Sequence, residues 1–315
     1  MNGFLRGRGS ALYGAAAAVN SLFAGNALIA LGAAALWGGG DFSGGMGVKA
    51  AGGGIRSALR IVLLSHAASF LVLLAIAHLR GDSFPHYPYF AWGVAAGVFG
   101  GLSLTAFYIA LSRGAMGASA AVSGLLAAAI PAVVAMVQQG FPGARPLIGF
   151  VIAGVAIWLI AAGDSAHEET STILLAVGAG IGFGVYFVAL KMAGPAGVVW
   201  PMATARMGSL TTCSVLVAGV SVFGANAKVG EARLAGRLTR RAVLWAMSTA
   251  LLDTSGNLMF VESTRLGRLD VAAVLASLYP ASTILLAALM LGERPTRRQG
   301  IGMAVAVVAV VLIAM

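Results

Sequence analysis

The chain has 315 residues, of which 59% are hydrophobic and only 10% charged, with a formal net charge of +10. A soluble domain carries about 25% charged residues, so this composition excludes an ordinary water-soluble globule and points to an integral membrane protein. The basic residues sit mostly at the ends of apolar runs, where they orient spans and meet headgroups, and no basic domain lies outside the membrane, which argues against nucleic acid as a partner.

Long apolar runs favour helices over a barrel, whose strands would alternate. The 44 glycines fit helices that must approach closely, because lipid supplies no hydrophobic push between them. Gly93, Gly97 and Gly101 show the small-xxx-small spacing in GVAAGVFGG. Cys213 is the only cysteine, so no intrachain disulfide forms.

Residues 1–26 have a basic start and a short Ala-rich run, and read as an N-terminal segment leading into the first span rather than as a cleaved signal peptide. Ten apolar spans are predicted, at roughly 27–47, 55–79, 88–111, 115–139, 146–163, 172–192, 199–223, 241–264, 269–291 and 297–314. Each is close to the ~20 residues that cross a hydrocarbon core. The longest polar connections are 164–172 and 226–241, and no soluble domain fits anywhere.

The first span carries Trp37 and then Asp41 within WGGGDFSGG. Each glycine costs a helix interior up to about 1 kcal/mol against alanine, so this stretch is expected to loosen or break the helix. Exposed carbonyls beside the Asp41 carboxylate would suit a proton, a cation or an amine. Alternatively the span ends near Gly38 and Asp41 caps it at the water interface. The second span opens with Arg60 and carries His66 six residues later. An arginine at a helix start usually snorkels to headgroups; the other reading is contact with an anionic substrate carboxylate. His66 is a proton relay or, on the plainer reading, a packing residue. The third span carries Tyr108, the fourth Pro131 and the sixth Tyr186; the seventh opens with Arg206, in the same position as Arg60.

The eighth span holds the strongest polar pair, Asp253 and Asn257, four residues apart and therefore on one helix face. Ionisable groups inside a membrane are costly and are functional candidates by default. Asp253 facing a cavity could bind a proton whose release couples to substrate; the alternative is an interhelical hydrogen bond. Glu262 is expected to pair locally with Arg265. Tyr279 precedes Pro280 in the ninth span. Pro131 and Pro280 each remove a backbone hydrogen bond and are expected to kink their helices, making them hinge candidates. Trp37, Tyr108, Tyr186 and Tyr279 form aromatic walls or an interfacial belt. Glu293, in the turn LGERPTRRQ, reads as structural.

No Walker A loop, GxSxG or HExxH occurs, and the four histidines are scattered without metal-ligand spacing. The sequence therefore predicts no catalytic constellation, no cofactor and no metal.

The two halves repeat. Arg60 and Arg206 are 146 positions apart, Trp92 and Trp245 as well as Phe107 and Phe260 are 153 apart, and Pro131 and Pro280 are 149 apart. Such shifts indicate a duplicated five-span unit, 27–163 and 172–315, joined by a linker at 164–171. Five is odd, so the second copy runs through the bilayer in the opposite sense. Inverted repeats place a substrate site near the midplane between the halves.

The segment LASLYPASTILLAALMLGERPTRRQGIG resembles the closing end of the drug/metabolite transporter superfamily, EamA type. IALSRGAMGASAAVSGLLAAAIP fits the same pattern more loosely, and its turn, QQGFPGARP, lacks the LGE element. The spans opening at Arg60 and Arg206 resemble the family's second and seventh helices. The resemblance implies an all-α integral membrane fold of ten transmembrane helices, in two inverted five-helix repeats around a central cavity. It implies movement of small metabolites or drugs, export more often than uptake, in the cell inner membrane with both termini inside. Charge alone disagrees: with the N-terminus inside, eight of the twenty basic residues face the cytoplasm, which favours the opposite orientation.

The expected function is a secondary transporter working by alternating access, with or without coupling to a proton or another ion. Its partners are a small-molecule substrate and the lipid bilayer. The alternatives are a flippase for a lipid or lipid-linked precursor, and a non-transport membrane enzyme or structural subunit.

Overall fold

The computed structural model describes residues 25–113, 116–161, 170–223, 238–292, 294 and 296–314. Residues 1–24, residues 164–169 of the expected linker, residues 224–237 of the second polar connection and Glu293 lie outside the described residues.

Apolar runs without ladder partners satisfy their backbone as helices. The first half gives α1 (Asn26–Ala50), α2 (Gly54–Arg80), α3 (Tyr89–Arg113), α4 (Met116–Gln139) and α5 (Ala144–Ala161). The second gives α6 (Thr170–Ala193), α7 (Val199–Phe223), α8 (Arg240–Leu266), α9 (Leu269–Ala276), α10 (Tyr279–Leu291) and α11 (Arg297–Ala314). Among the described residues there is no strand. Helix ends follow local chemistry. Gly81 and Gly292, at φ +68° and +71°, terminate α2 and α10 in the left-handed conformation that glycine tolerates. The Thr239 hydroxyl accepts the Ala242 N–H at 3.1 Å and caps α8.

Five stretches are long and apolar enough to cross a membrane: Gly54–Arg80, Tyr89–Arg113, Val122–Gln139, Thr170–Ala196 and Leu269–Leu291. The chain is thus an all-helical, multi-pass membrane protein. Of the helices outside that set, α5 and α11 are the shortest, at 18 residues each. The others, α1, α7 and α8, carry Asp41, Arg206 and Asp253. Polarity is distributed inside out: Leu79, Val137 and Leu289 are 84%, 83% and 82% exposed, whereas Asp41, His66, Arg206 and Asp270 are buried.

The heaviest packing crosses between halves. α1 lies along α8 and α3 along α6; α4 packs on α6, and α9 with α10 on α1; α3 meets α7 and α2 meets α8. α5 pairs with α11, and α2 with α7. Glycine permits the closest approaches. A Cβ on Gly97 would stand 1.9 Å from the Ala205 carbonyl oxygen, and one on Gly256 would stand 2.7 Å from Trp37 Cδ1.

Two local expectations change. The glycines of WGGGDFSGG do not break α1, which is continuous from Asn26 to Ala50, so Asp41 lies well inside a helix rather than capping one. Those glycines serve close packing instead: a Cβ on Gly44 would strike the Tyr108 ring at 2.2 Å. The two prolines also differ. Pro131 sits inside α4 without interrupting it, whereas the ninth span is divided at Ser277–Leu278, with Pro280 in the first turn of α10. A proline there forfeits no intrahelical bond, because first-turn N–H groups have no partner in any case.

Candidate functional site

Helical spacing brings the polar and aromatic side chains together. Trp37 and Asp41 are four apart on α1; His66 and Ser69 are three apart on α2; Arg206 and Ser209 are three apart on α7. Phe183, Tyr186 and Phe187 share a face of α6, and Asp253 and Asn257 a face of α8.

The side chain at the centre is Arg206, 3% exposed. Its Nη2 donates to Asp253 Oδ2 at 2.5 Å and to Thr254 Oγ1 at 3.3 Å. Its Nε donates to Ser69 Oγ at 2.9 Å, and its Nη1 lies 2.8 Å from His66 Nε2. A guanidinium only donates, so His66 Nε2 is the acceptor and the ring proton resides on Nδ1, which faces the Ser209 hydroxyl. His66 is therefore a neutral imidazole. Asn257 Nδ2 donates to Asp253 Oδ1 at 3.0 Å and to the Asp253 carbonyl at 2.7 Å. The Tyr186 hydroxyl donates to Asn257 Oδ1 at 2.6 Å. One polar chain thus runs Ser209–His66–Arg206–Asp253–Asn257–Tyr186 and ties α2, α6, α7 and α8 together.

Two small cavities adjoin this chain and share Leu104, Phe183, Tyr186 and Asp253 in their walls. The first, about 40 Å³, is walled by Trp37, Phe183, Tyr186, Phe187 and Tyr279, with Asp41, Asp253 and Asn257 as its polar groups. Trp37 stacks flat on Phe187, with centroids 5.1 Å apart and planes 3° from parallel. The Tyr279 hydroxyl lies 2.6 Å from Ser123 Oγ and donates to the Ala120 carbonyl at 3.2 Å, fixing its ring as wall. The second cavity, about 30 Å³, is bounded by His66, Arg206, Ser209 and the glycine-lined face of α3.

Asp41 stands apart from the polar chain. It is 8% exposed and lines the first cavity, yet among the described residues its carboxylate has no hydrogen-bond or ion-pair partner. It approaches the chain through the tight α1–α8 contact, where a Cβ on Gly40 would come within 3.2 Å of the Asp253 backbone nitrogen.

The structure thus gathers Trp37, Asp41, Tyr186, Asp253, Asn257 and Tyr279 around one cavity, and His66 and Arg206 with Asp253 around the other. Two expected residues lie elsewhere. Arg60 is half-buried and lines neither cavity. Tyr108 is fully buried against Gly44 and lines neither cavity. Arg206 does not snorkel to headgroups: a carboxylate, an imidazole and two hydroxyls meet its guanidinium inside the bundle. Glu262 does pair locally with Arg265, at 3.1 Å on an exposed face.

Sequence reasoning missed Ser69, Thr254, Ser209, Leu104, Phe183 and Phe187. Signals existed for some: Ser69 follows His66 by three, Thr254 adjoins Asp253, and the two phenylalanines bracket Tyr186 at helical spacing.

Residues 170–315 match the EamA-like transporter family, which belongs to the drug/metabolite transporter superfamily. A solved crystal structure, described only as that of a protein, superposes with a TM-score of 0.65 at 16% identity, covering 91% of this chain and 95% of that one. At such identity the likeness is one of fold alone. No curated protein matches the chain.

Proposed function

We propose that this chain, whose residues 170–315 match the EamA-like transporter family, is a secondary transporter that moves a small organic solute by alternating access between two inverted five-helix units, 27–163 and 172–315. The observation that carries the reading is the interior pair Arg206–Asp253, set between two adjoining cavities. Charge inside a membrane is costly and is retained where a solute or ion passes; a scaffold needs none.

The packing supports inverted units. Pairing α1 with α6, α2 with α7, α3 with α8, α4 with α9–α10 and α5 with α11 relates the heaviest inter-half contacts to one another or to themselves. The contact α1–α8 then answers α3–α6, and α2–α7 and α5–α11 answer themselves. Leu104 and Asn257, 153 positions apart, both line the first cavity.

Cavities of about 40 and 30 Å³ hold a water or a small headgroup each. A larger solute therefore enters only when the walls part. The division at Ser277–Leu278 before Pro280 supports a hinge there, with Pro131 as its partner in the first unit. Asp253, the carboxylate bound to Arg206, is the proposed site of any proton coupling. Export from the cell across its inner membrane follows from the family resemblance. The acid–base groups bond to one another rather than converging on a reacting atom, which favours transport over intramembrane catalysis.

The test is reconstitution in liposomes with a panel of amines, amino acids, nucleosides and drugs. Solute flux is expected; it should be lost when Arg206 is replaced, and it should lose its response to a pH gradient when Asp253 is replaced by Asn. A folded protein that moves none of the panel sinks the reading.

A further inference from the structure

We infer that the first cavity is a receptor for the head of an organic monocation, with Asp41 as its counter-charge. The inference rests on the transport reading above for the use made of the site, and on four observations for its chemistry.

The first is the sum of charges. Around the two cavities stand the carboxylates Asp41 and Asp253, the guanidinium Arg206 and the neutral imidazole His66. The other fully buried carboxylate among the described residues, Asp270, has its own partner in Arg268. With both carboxylates ionised, the site therefore sums to one negative charge.

The second is where that charge resides. Arg206 is committed to Asp253, so the surplus falls on Asp41, buried, facing the cavity and without a partner among the described residues. A buried carboxylate is not left bare: a proton or a cation completes it.

The third is the wall. Five aromatic rings surround the space in front of Asp41, and ring faces attract ammonium groups. The same wall disfavours a metal cation, which wants about six oxygen ligands. The Tyr186 hydroxyl is already spent on Asn257, and that of Tyr279 on Ser123 and the Ala120 carbonyl.

The fourth excludes an anion. Arg206, the cation of the site, already meets Asp253, Thr254, Ser69 and His66, which leaves it little capacity for a carboxylate or phosphate. The 40 Å³ space takes an ammonium-sized head. An aromatic body then lies along Trp37 and Phe187 as the helices part.

The test uses purified full-length protein and four probes with one benzylic body: benzyltrimethylammonium, phenethylammonium, phenethyl alcohol and 3-phenylpropanoate. Calorimetric titration is expected to show both cations binding at least tenfold more tightly than the alcohol or the acid. Asp41→Asn should weaken cation binding at least tenfold while unfolding at or above the wild-type temperature, because it removes an unpaired buried carboxylate. Trp37→Leu, with Asp41 intact, should weaken benzyltrimethylammonium binding severalfold. The inference is overturned if 3-phenylpropanoate binds as tightly as the cations, if Asp41→Asn binds them undiminished, or if no probe binds. Liposome flux separates the two levels. Cations that bind but do not cross would remove the transport reading and leave the receptor. Movement of anions or neutral solutes alone would remove the receptor and leave transport.

Discussion

Arg206 Nη2 stands 2.5 Å from Asp253 Oδ2, with the two side chains 4% and 14% exposed, and the contact fastens α7 to α8. Removing one partner of such a pair strands the other charge, at a cost of about 3–5 kcal/mol, whereas replacing both by apolar groups of similar volume is often neutral. Arg206→Met alone is therefore expected to destabilise the protein strongly, and Arg206→Met combined with Asp253→Leu much less. Thermal unfolding of the single and double variants in detergent checks this. A double variant as unstable as the single would mean that Ser69, His66 and Thr254, not Asp253, hold Arg206 in place.

Asp253→Asn keeps the volume of the side chain and its capacity to accept from Arg206, but cannot gain or lose a proton. Flux driven by an imposed pH gradient is expected to fall to the rate seen without a gradient, while solute exchange persists. The measurement is uptake into liposomes with inside pH varied at constant outside pH. Undiminished gradient-driven flux in this variant would remove Asp253 from coupling.

Two ion pairs near the end of α8 look alike in sequence and differ in surroundings. Glu262–Arg265 has side chains 38% and 43% exposed, and such pairs contribute about 0–1 kcal/mol. Asp270 is fully buried, accepts from Arg268 at 2.7 Å and from the Val271 N–H at 2.8 Å, while Arg268 also donates to the Gln139 and Gly140 carbonyls. Asp270→Ala is expected to cost several times more than Glu262→Ala, towards the lower end of roughly 3–5 kcal/mol, because Arg268 is partly exposed and can regain water. Unfolding midpoints of the two variants decide it; equal shifts would mean that Arg268 is held by the carbonyls alone.

These pairs also mark how far the sequence could be read. Helix positions were legible because long apolar runs admit no other backbone solution in lipid, and α1 to α11 fall on the ten predicted spans. Asp253 and Asn257 were legible as a unit because a spacing of four fixes a shared face. That Asp253 binds Arg206, 47 positions away on another helix, is set by how α7 crosses α8, which no local pattern encodes. Ser69, Thr254 and Ser209 escaped notice because a hydroxyl in a membrane helix usually bonds back to its own turn, as Ser65 does to the Val62 carbonyl. Arg60 and Arg206 occupy equivalent sequence positions, yet the surroundings of Arg206 do not follow from the equivalence: it meets Asp253 on α8, and the residue 153 positions before Asp253 is Gly100.

Glycine offers a final comparison in which one substitution has opposite effects at two positions. Gly97 on α3 faces α7 so closely that a Cβ would stand 1.9 Å from the Ala205 carbonyl oxygen and 2.8 Å from the Ser209 nitrogen. Both obstacles are backbone, so no side-chain rotation relieves them, and α3 and α7 must separate. Gly97→Ala is expected to lower the unfolding temperature and to weaken transport, since Ser209 and Arg206 lie on the displaced face. At Gly178 on α6, an added methyl would meet nothing within 4 Å, so Gly178→Ala gains helix propensity, up to about 1 kcal/mol, and disturbs no neighbour. Its unfolding temperature should match or exceed that of the wild type, with unchanged flux. If both variants behave alike, the α3–α7 contact is not what sets the geometry around Arg206.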